Sequence, residues 1–190
     1  MAARLIVDEG MDWGAAKQRA ARALGAPRAA LPSNELVECA VREHIAIFHA
    51  DTQPTELLAL RELAAEWMAR LAEFRPHLTG AVWRGTATRL SNVHLQLYCD
   101  DSKATEIELL NRGLRFDVAE TTGPKVRPGR PGREVDMLIL DAPCPALGEH
   151  VTLCLTILDF DDLRGALKPD TQGQTERGDL AALTTLLRTP

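Results

Sequence analysis

The stretch GAVWRGTATRLSNVHL, residues 80–95, carries the most informative pattern in the chain. It opens on a glycine and passes through small and polar residues before it becomes an alternating run. In that run Val93 and Leu95 flank His94, and the alternation continues over residues 96–98. Such a period of two indicates a strand with one apolar and one polar face. The stretch therefore predicts a glycine turn and a short helix that lead into a strand.

The same residues resemble the signature of the polymerase-β-type nucleotidyltransferase superfamily, which is Gly-Ser, ten residues, and then Asp-any-Asp. The spacing is kept without a gap, but Ala81 stands where the signature has serine, and Asn92 and His94 stand where it has the two metal-binding aspartates. The resemblance covers about residues 75–160 at most, and it implies an α+β fold with a mixed sheet flanked by helices. Six positions agree with the signature in register: Gly80, Gly85, Ala87, Ser91, Val93 and Leu95.

The catalytic chemistry of that superfamily depends on carboxylates that hold two divalent cations. The resemblance assigns the third carboxylate to Asp136, which lies in a hydrophobic run. Magnesium prefers anionic oxygen ligands, and the imidazole of His94 suits other metals better. One carboxylate beside Asn92 and His94 is too little to hold two magnesium ions. We therefore expect a degenerate metal site with vestigial Asp136, no resident cofactor, and magnesium or manganese only if the chain is active.

The resemblance implies that a nucleotide would bind at the glycine turn. Gly80 and the backbone N–H of Ala81 would hold phosphates, and Arg84 and Arg89 flank the turn as candidate phosphate ligands. Trp83 lies beside the turn and can stack a nucleobase or pack the short helix onto the sheet, and packing is the favoured interpretation.

A second candidate site is the proline- and glycine-rich stretch of residues 123–133, which contains no acidic residue. Such a composition predicts an exposed loop. The loop suits a phosphate chain, RNA or an acidic protein surface, although a solvated connector has the same composition. Its positive charges are Lys125, Arg127, Arg130 and Arg133.

The rest of the chain predicts one α+β domain. Residues 1–75 form an N-terminal helical region, residues 76–165 the nucleotidyltransferase-like core, and residues 166–190 a C-terminal tail and helix. The third predicted helix, residues 52–74, carries an apolar seam that we expect to pack antiparallel against the helix that begins at Ser33 or Asn34. The remaining predicted helices are residues 12–24, 103–111 and 180–187, and their predicted caps are Asp12, the turn of residues 100–102 and Asp179. The helix of residues 103–111 is expected to be amphipathic, with Ala104, Ile107, Leu109 and Leu110 as its apolar residues. The predicted strands are 93–98, 114–118, 135–140 and 151–158.

Composition narrows the functional classes. The net charge of −5 argues against a chain whose whole surface binds nucleic acid. The four cysteines lack C-x-x-C spacing, which favours buried free thiols. His44 and His49 are five residues apart, a spacing that puts them on different faces of a helix, so we expect no metal pair there. The sequence has neither a signal-peptide pattern nor a long apolar run, so we expect a cytoplasmic protein without a membrane partner.

Three functions remain open at this stage. The first is a nucleotidyltransferase-like pseudoenzyme that binds a nucleoside triphosphate, an RNA or a protein. The second is an active, metal-dependent nucleotidyltransferase whose carboxylates have moved to Asp100, Asp101, Glu106 or Glu108. The third is an adaptor or homodimer that associates through the helix of residues 57–74. Trp67 and Met68 would suit a partner surface there, although packing within the chain is the default interpretation.

Overall fold

The computed structural model describes residues 1–26, 30–123, 132–163 and 175–188. Within these ranges the chain is α+β, as predicted, with seven α-helices and one six-stranded mixed sheet. The helices are α1 (Ala2–Glu9), α2 (Trp13–Ala23), α3 (Asn34–Phe48), α4 (Gln53–Arg70), α5 (Gly80–Arg84), α6 (Ser102–Asn111) and α7 (Leu180–Arg188). The strands are β1 (His77–Thr79), β2 (Val93–Tyr98), β3 (Asp117–Thr122), β4 (Glu134–Cys144), β5 (Glu149–Leu158) and β6 (Arg177–Gly178).

Most helices begin at the polar residues that the sequence indicated. The carboxylate of Asp12 accepts hydrogen bonds from the first backbone N–H groups of α2, and Ser33 does the same for α3. Asp101 and Asp179 cap α6 and α7 in this way. Each side-chain oxygen satisfies an N–H that has no partner within the helix, which fixes where the helix starts.

Two predicted strands are displaced or too short. The strand predicted over residues 114–118 instead occupies Asp117–Thr122, where it pairs with β4. The strand predicted over residues 135–140 continues to Cys144, because β4 forms a long hairpin with β5 that ends only where Cys144 pairs with Glu149. Partner strands, rather than local propensity, set these ends.

The sheet has the strand order β3-β4-β5-β2-β1-β6, with β2 parallel to β5 and the other pairs antiparallel. The face of β2 with Val93, Leu95 and Leu97 is fully buried, and His94 and Gln96 lie on the other face. The predicted alternation of β2 is therefore confirmed. The order also places β5 between β2 and β4, which matters for the site below.

Helix α4 packs into the main core under the sheet. Its seam residues, among them Leu60, Ala64 and Leu71, join one continuous apolar cluster with β2, β4 and β5. Trp67 is 3% exposed and Met68 is fully buried. Both side chains therefore pack inside the chain, in the main apolar cluster, and do not form a partner surface.

Helices α1, α2 and α3, which we call the N-terminal helical layer, have small cores of their own. Val37, Val41 and Ile45 of α3 cluster with Ala3 and Val7 of α1. A second cluster joins α1 to α2 through Leu5, Ala16 and Ala20. The predicted antiparallel packing of α3 against α4 is wrong, because the apolar side of α3 is occupied by α1.

Two smaller expectations are also corrected. In α6 only Leu109 of the predicted apolar residues is fully buried, and Ile107 and Leu110 are more than half exposed. Cys39 is exposed, whereas the other three cysteines are buried as expected.

No helix within the described ranges is long and apolar enough to cross a membrane.

Candidate functional site

A cleft of about 740 Å³ separates the N-terminal helical layer from the turn that joins β1 to α5. We call it the motif cleft, because four residues at the glycine, serine and aspartate positions of the nucleotidyltransferase signature line it. They are Gly80, Ala81, Asn92 and His94. A volume of this size lies within the range of sites that enclose small ligands. The opposite wall comes from the helical layer and includes Asp12, Trp13, Asn34 and Glu35.

Gly80 and His94 are neighbours across this turn. Thr79 of β1 pairs with His94 of β2, and the chain turns at Gly80 with a φ of 72°. A methyl group on Gly80 would lie 3.6 Å from Cδ2 of His94, so the imidazole of His94 faces the Gly80 turn. A left-handed φ of this kind favours glycine. The structure thus brings together the two ends of the quoted motif.

Side chains of α4 form hydrogen bonds to the backbone of α5 and of the residues that follow it. The side-chain amide of Gln53, which is buried, donates to the carbonyl oxygens of Gly85 and Ala87 at 3.2 and 2.9 Å. The half-buried guanidinium of Arg61 donates to the carbonyl oxygen of Val82 at 3.2 Å. These bonds satisfy carbonyl groups at the end of α5 that the short helix leaves without partners.

The side chains are neutral at the two positions where the resemblance implies metal-binding aspartates. Asn92 is exposed at the cleft and His94 is partly buried. Burial lowers the pKa of the His94 imidazole, and the negative charge of Asp12 across the cleft opposes that shift. Desolvation disfavours the charged imidazolium, so His94 is held in its neutral form. Asn92 and His94 can exchange hydrogen bonds with a ligand but supply no negative charge for a cation.

The structure does not bring Asp136 to this cleft. His94 is in register with Cys154 on β5, and Cys154 is in register with Ile139 on β4, so these three side chains share one face of the sheet. Asp136 is three residues from Ile139 and faces the opposite side, two strands away from His94. It lines a separate pocket of about 220 Å³. The expectation that Asp136 lies beside His94 is corrected by the strand order, which sequence alone does not fix.

Arg84 lines the cleft, but its guanidinium is bound to the helical layer. It donates to Glu38 of α3 at 2.9 Å, and Arg42 donates to the same carboxylate at 2.7 Å. Burial raises the pKa of Glu38, and the hydrogen bonds from Arg84 and Arg42 more than offset it, so the pKa lies below its ordinary value. Arg84 thus joins α5 to α3 in addition to facing the cleft.

Arg89 and Trp83 point away from the motif cleft. The guanidinium of Arg89 pairs with Glu149 at 2.9 Å. The indole N–H of Trp83 donates to the carbonyl oxygen of Thr175 at 2.7 Å, and its ring lies against the backbone of Gly178. The favoured interpretation of Trp83, that it packs the short helix onto the sheet, agrees with this position.

The charge of the cleft is mainly acidic. Asp12, Glu35 and Glu176 line it together with the Glu38–Arg84 pair. Its floor includes Thr86, which is 3% exposed and whose hydroxyl has no hydrogen-bond partner within the described part of the chain. A buried hydroxyl of this kind is costly unless a ligand or water satisfies it. Sequence reasoning missed these residues, because only a fold that closes the helical layer over the turn makes them neighbours.

The proposed relocated carboxylates do not line the motif cleft. Asp101 caps α6, Glu106 pairs with Lys103 at 2.6 Å, and Glu108 pairs with Arg112. With Asp100, they follow the far end of β2, beyond Tyr98, whereas His94 lies near its beginning.

Of the four basic residues of the predicted loop, Arg133 lies within the described residues. Lys125, Arg127 and Arg130 lie outside the described residues. Arg133 forms ion pairs with Asp159 and Asp162. The described end of the loop is thus neutralised by the acidic turn that follows β5.

The two histidines that were expected on different faces of α3 lie side by side. His44 and His49 both place Nε2 against the carboxylate of Asp8, at 3.1 and 2.8 Å. The spacing argument failed because α3 ends at Phe48, so His49 has left the helical register.

A comparison of the chain with protein-family models and with curated proteins gave no match.

Proposed function

We propose that the chain is a nucleotidyltransferase-like binding protein that holds a nucleotide-sized ligand in the motif cleft and does not transfer a nucleotidyl group. The observation that carries the proposal is the position of Gly80 opposite His94 in the motif cleft, with neutral side chains at both positions where the superfamily has aspartates. The turn supplies a shaped wall for a ligand, and the residues that would supply metal chemistry are replaced.

The donor set does not fit two magnesium ions. On the face that carries His94, the neighbouring strand β5 presents Cys154 and Thr156, neither of which is a carboxylate. The acidic residues on the other walls of the cleft do not converge either. Among the described residues, no three of them bring ligand atoms within 4.8 Å of one another. Magnesium requires hard oxygen ligands in a compact arrangement, so a two-metal mechanism has no support here.

The charge of the cleft favours a ligand with few phosphates. Asp12, Glu35 and Glu176 would repel a triphosphate that no metal neutralises. The hydroxyl of Thr86 and the neutral imidazole of His94 instead suit the hydrogen-bonding groups of a base or a sugar. A nucleoside or nucleoside monophosphate therefore fits these walls better than a nucleoside triphosphate or RNA does.

A calorimetric titration tests this function. The chain is titrated with the common nucleosides, their monophosphates and their triphosphates, each with and without magnesium. We expect binding of a nucleoside or monophosphate that does not depend on magnesium, and no incorporation of labelled nucleotide. Magnesium-dependent incorporation would establish the alternative of an active transferase, and a lack of binding to every compound would remove the proposal.

Matched glycine variants locate the ligand. Gly80→Ala and Gly113→Ala replace glycines with nearly the same φ, 72° and 70°, so both carry similar backbone strain. Of these two glycines, only Gly80 lines the motif cleft. We expect Gly80→Ala to weaken ligand binding at least about tenfold while Gly113→Ala leaves it unchanged. Equal affinities in the two variants would place the ligand elsewhere.

A further inference from the structure

A cluster of metal-binding side chains lies outside the motif cleft, where α1 meets the end of α3. Nε2 of His44 lies 3.1 Å and Nε2 of His49 lies 2.8 Å from Oδ1 of Asp8. One ligand atom from each of the three residues falls within 4.8 Å of the other two. Within the described ranges, no other group of three histidine, cysteine or acidic side chains converges in this way.

The end of α3 produces this convergence. The helix stops at Phe48, and His49 takes a φ of −132° and a ψ of 18° while its backbone N–H still donates to the carbonyl oxygen of Ile45. Its side chain therefore turns back towards α1 instead of following the helical spiral. The centroids of the two imidazole rings are 5.9 Å apart. Asp8 comes from the last turn of α1, and α1 is seated on α3 by the apolar cluster of Val7, Val41 and their neighbours.

The donor set is two imidazole nitrogens and one carboxylate. Imidazole suits zinc, copper, iron and nickel, whereas magnesium and calcium prefer oxygen ligands. Donors that surround a tetrahedral zinc ion at about 2.0–2.1 Å are about 3.3 Å apart. The two distances from Asp8 to the histidines are 3.1 and 2.8 Å, and the histidine nitrogens lie within 4.8 Å of each other, so an adjustment of the side chains admits the ion. We propose that Asp8, His44 and His49 form a binding site for one divalent transition-metal ion such as zinc, which joins α1 to α3.

Exposure at the site leaves room for the rest of the coordination shell. The side chains are 38% exposed at Asp8, 16% at His44 and 30% at His49. An ion held by three protein ligands completes its shell with water, and the partly open site gives water access. Asp8 lies two residues before Gly10, and Gly10 and Met11 line the motif cleft. A bound ion therefore holds the end of α1 that leads into the wall of the motif cleft.

Zinc titration of the full chain after removal of metals by a chelator tests the site. We expect one zinc ion per chain by calorimetry, a thermal unfolding midpoint that rises with zinc, and no binding of magnesium. Cobalt in place of zinc is expected to give visible absorption bands of nitrogen and oxygen coordination. In Asp8→Asn, His44→Gln and His49→Gln, zinc affinity is expected to fall at least about tenfold.

Two further variants make the result decisive. His150 is exposed on β5, so His150→Gln is the matched control and is expected to leave zinc affinity unchanged. Cys39 is an exposed thiol on α3, so each titration is repeated in the Cys39→Ser background. Circular dichroism shows whether each variant is folded. If His44→Gln does not fold, His49→Gln, whose substitution lies at the end of the helix, is the variant that tests the site. The proposal is overturned if the unmodified chain binds no zinc, if His44→Gln and His49→Gln bind it as tightly, or if binding is lost with Cys39.

Discussion

The main core under the sheet is one continuous apolar cluster, whereas the N-terminal helical layer is held by two small clusters and by charged contacts. Helix α4 buries a whole seam against the sheet, from Leu60 to Leu71. The helical layer has only short apolar contacts between its own helices, and the Glu38–Arg84 pair joins it to the motif turn. The motif cleft lies at the boundary between the two regions. The wall supplied by the layer is therefore the less strongly fixed side of the motif cleft.

Truncation of a buried leucine in each of the two regions is expected to change the free energy of unfolding more than the substitutions that follow. Leu60 is fully buried in the main core and Leu5 is 3% exposed in the helical layer. We expect Leu60→Ala to lower the free energy of unfolding by about 4 kcal/mol and Leu5→Ala by about 2 kcal/mol, because a small cluster relaxes around a cavity more easily. Urea denaturation followed by circular dichroism measures both values. Equal losses would show that the layer is as tightly packed as the core.

Removal of the link between the regions is expected to have an intermediate effect. Glu38→Gln leaves Arg84 and Arg42 without their shared carboxylate, and Glu38 is 14% exposed. We expect a loss of about 1–2 kcal/mol in the free energy of unfolding. Relative to the unmodified chain, amide exchange is expected to become faster in α3 and to change less in α4. Glu66→Gln is the control, because Glu66 pairs with Arg70 at a position that is 55% exposed, where an ion pair contributes less than about 1 kcal/mol. Unchanged exchange in α3 would show that the pair does not hold the layer.

The smallest expected effect is the pH dependence that His94 contributes. Burial lowers the pKa of His94 from its ordinary value of 6.5, so just below that pH the unfolded chain binds a proton that the folded chain does not. The stability from neutral His94 is therefore fully present above pH 6.5 and declines as the pH falls towards the lowered pKa. The urea midpoint measured across this range is expected to fall less in His94→Gln than in the unmodified chain, and His150→Gln serves as the control. An identical slope in His94→Gln would show that the site is open to water.

Sequence reasoning predicted local features well. The signals at Asp12, Ser33 and Asp179 placed the starts of three helices, because a cap acts on N–H groups within a few residues. The alternation of Val93 and Leu95 with His94 gave the two faces of β2, because side chains in a strand alternate by geometry alone. Sequence reasoning also placed Gly80 close to His94, because the motif spans only one turn and one strand.

The expectations that failed concern partners distant in the chain. Asp136 was expected beside His94, but β5 comes between their strands and turns Asp136 to the other face. His44 and His49 were separated by a helical spacing rule, but the helix ends between them. Trp67 and Met68 were candidates for a partner surface, but they are buried in the main apolar cluster. In each case the deciding contact comes from a separate element or from a helix end that the periodicity did not show.

The α+β class, the positions of most helices and strands, and the neutral residues at two positions where the resemblance implies metal-binding aspartates follow from the amino-acid sequence. These features depend on local backbone geometry and on residue identity, which are properties of short segments. The strand order, the closure of the helical layer over the motif turn, and the meeting of Asp8 with two histidines arise from tertiary packing. These depend on which apolar faces bury one another, and many pairings of the same elements satisfy the same local pattern.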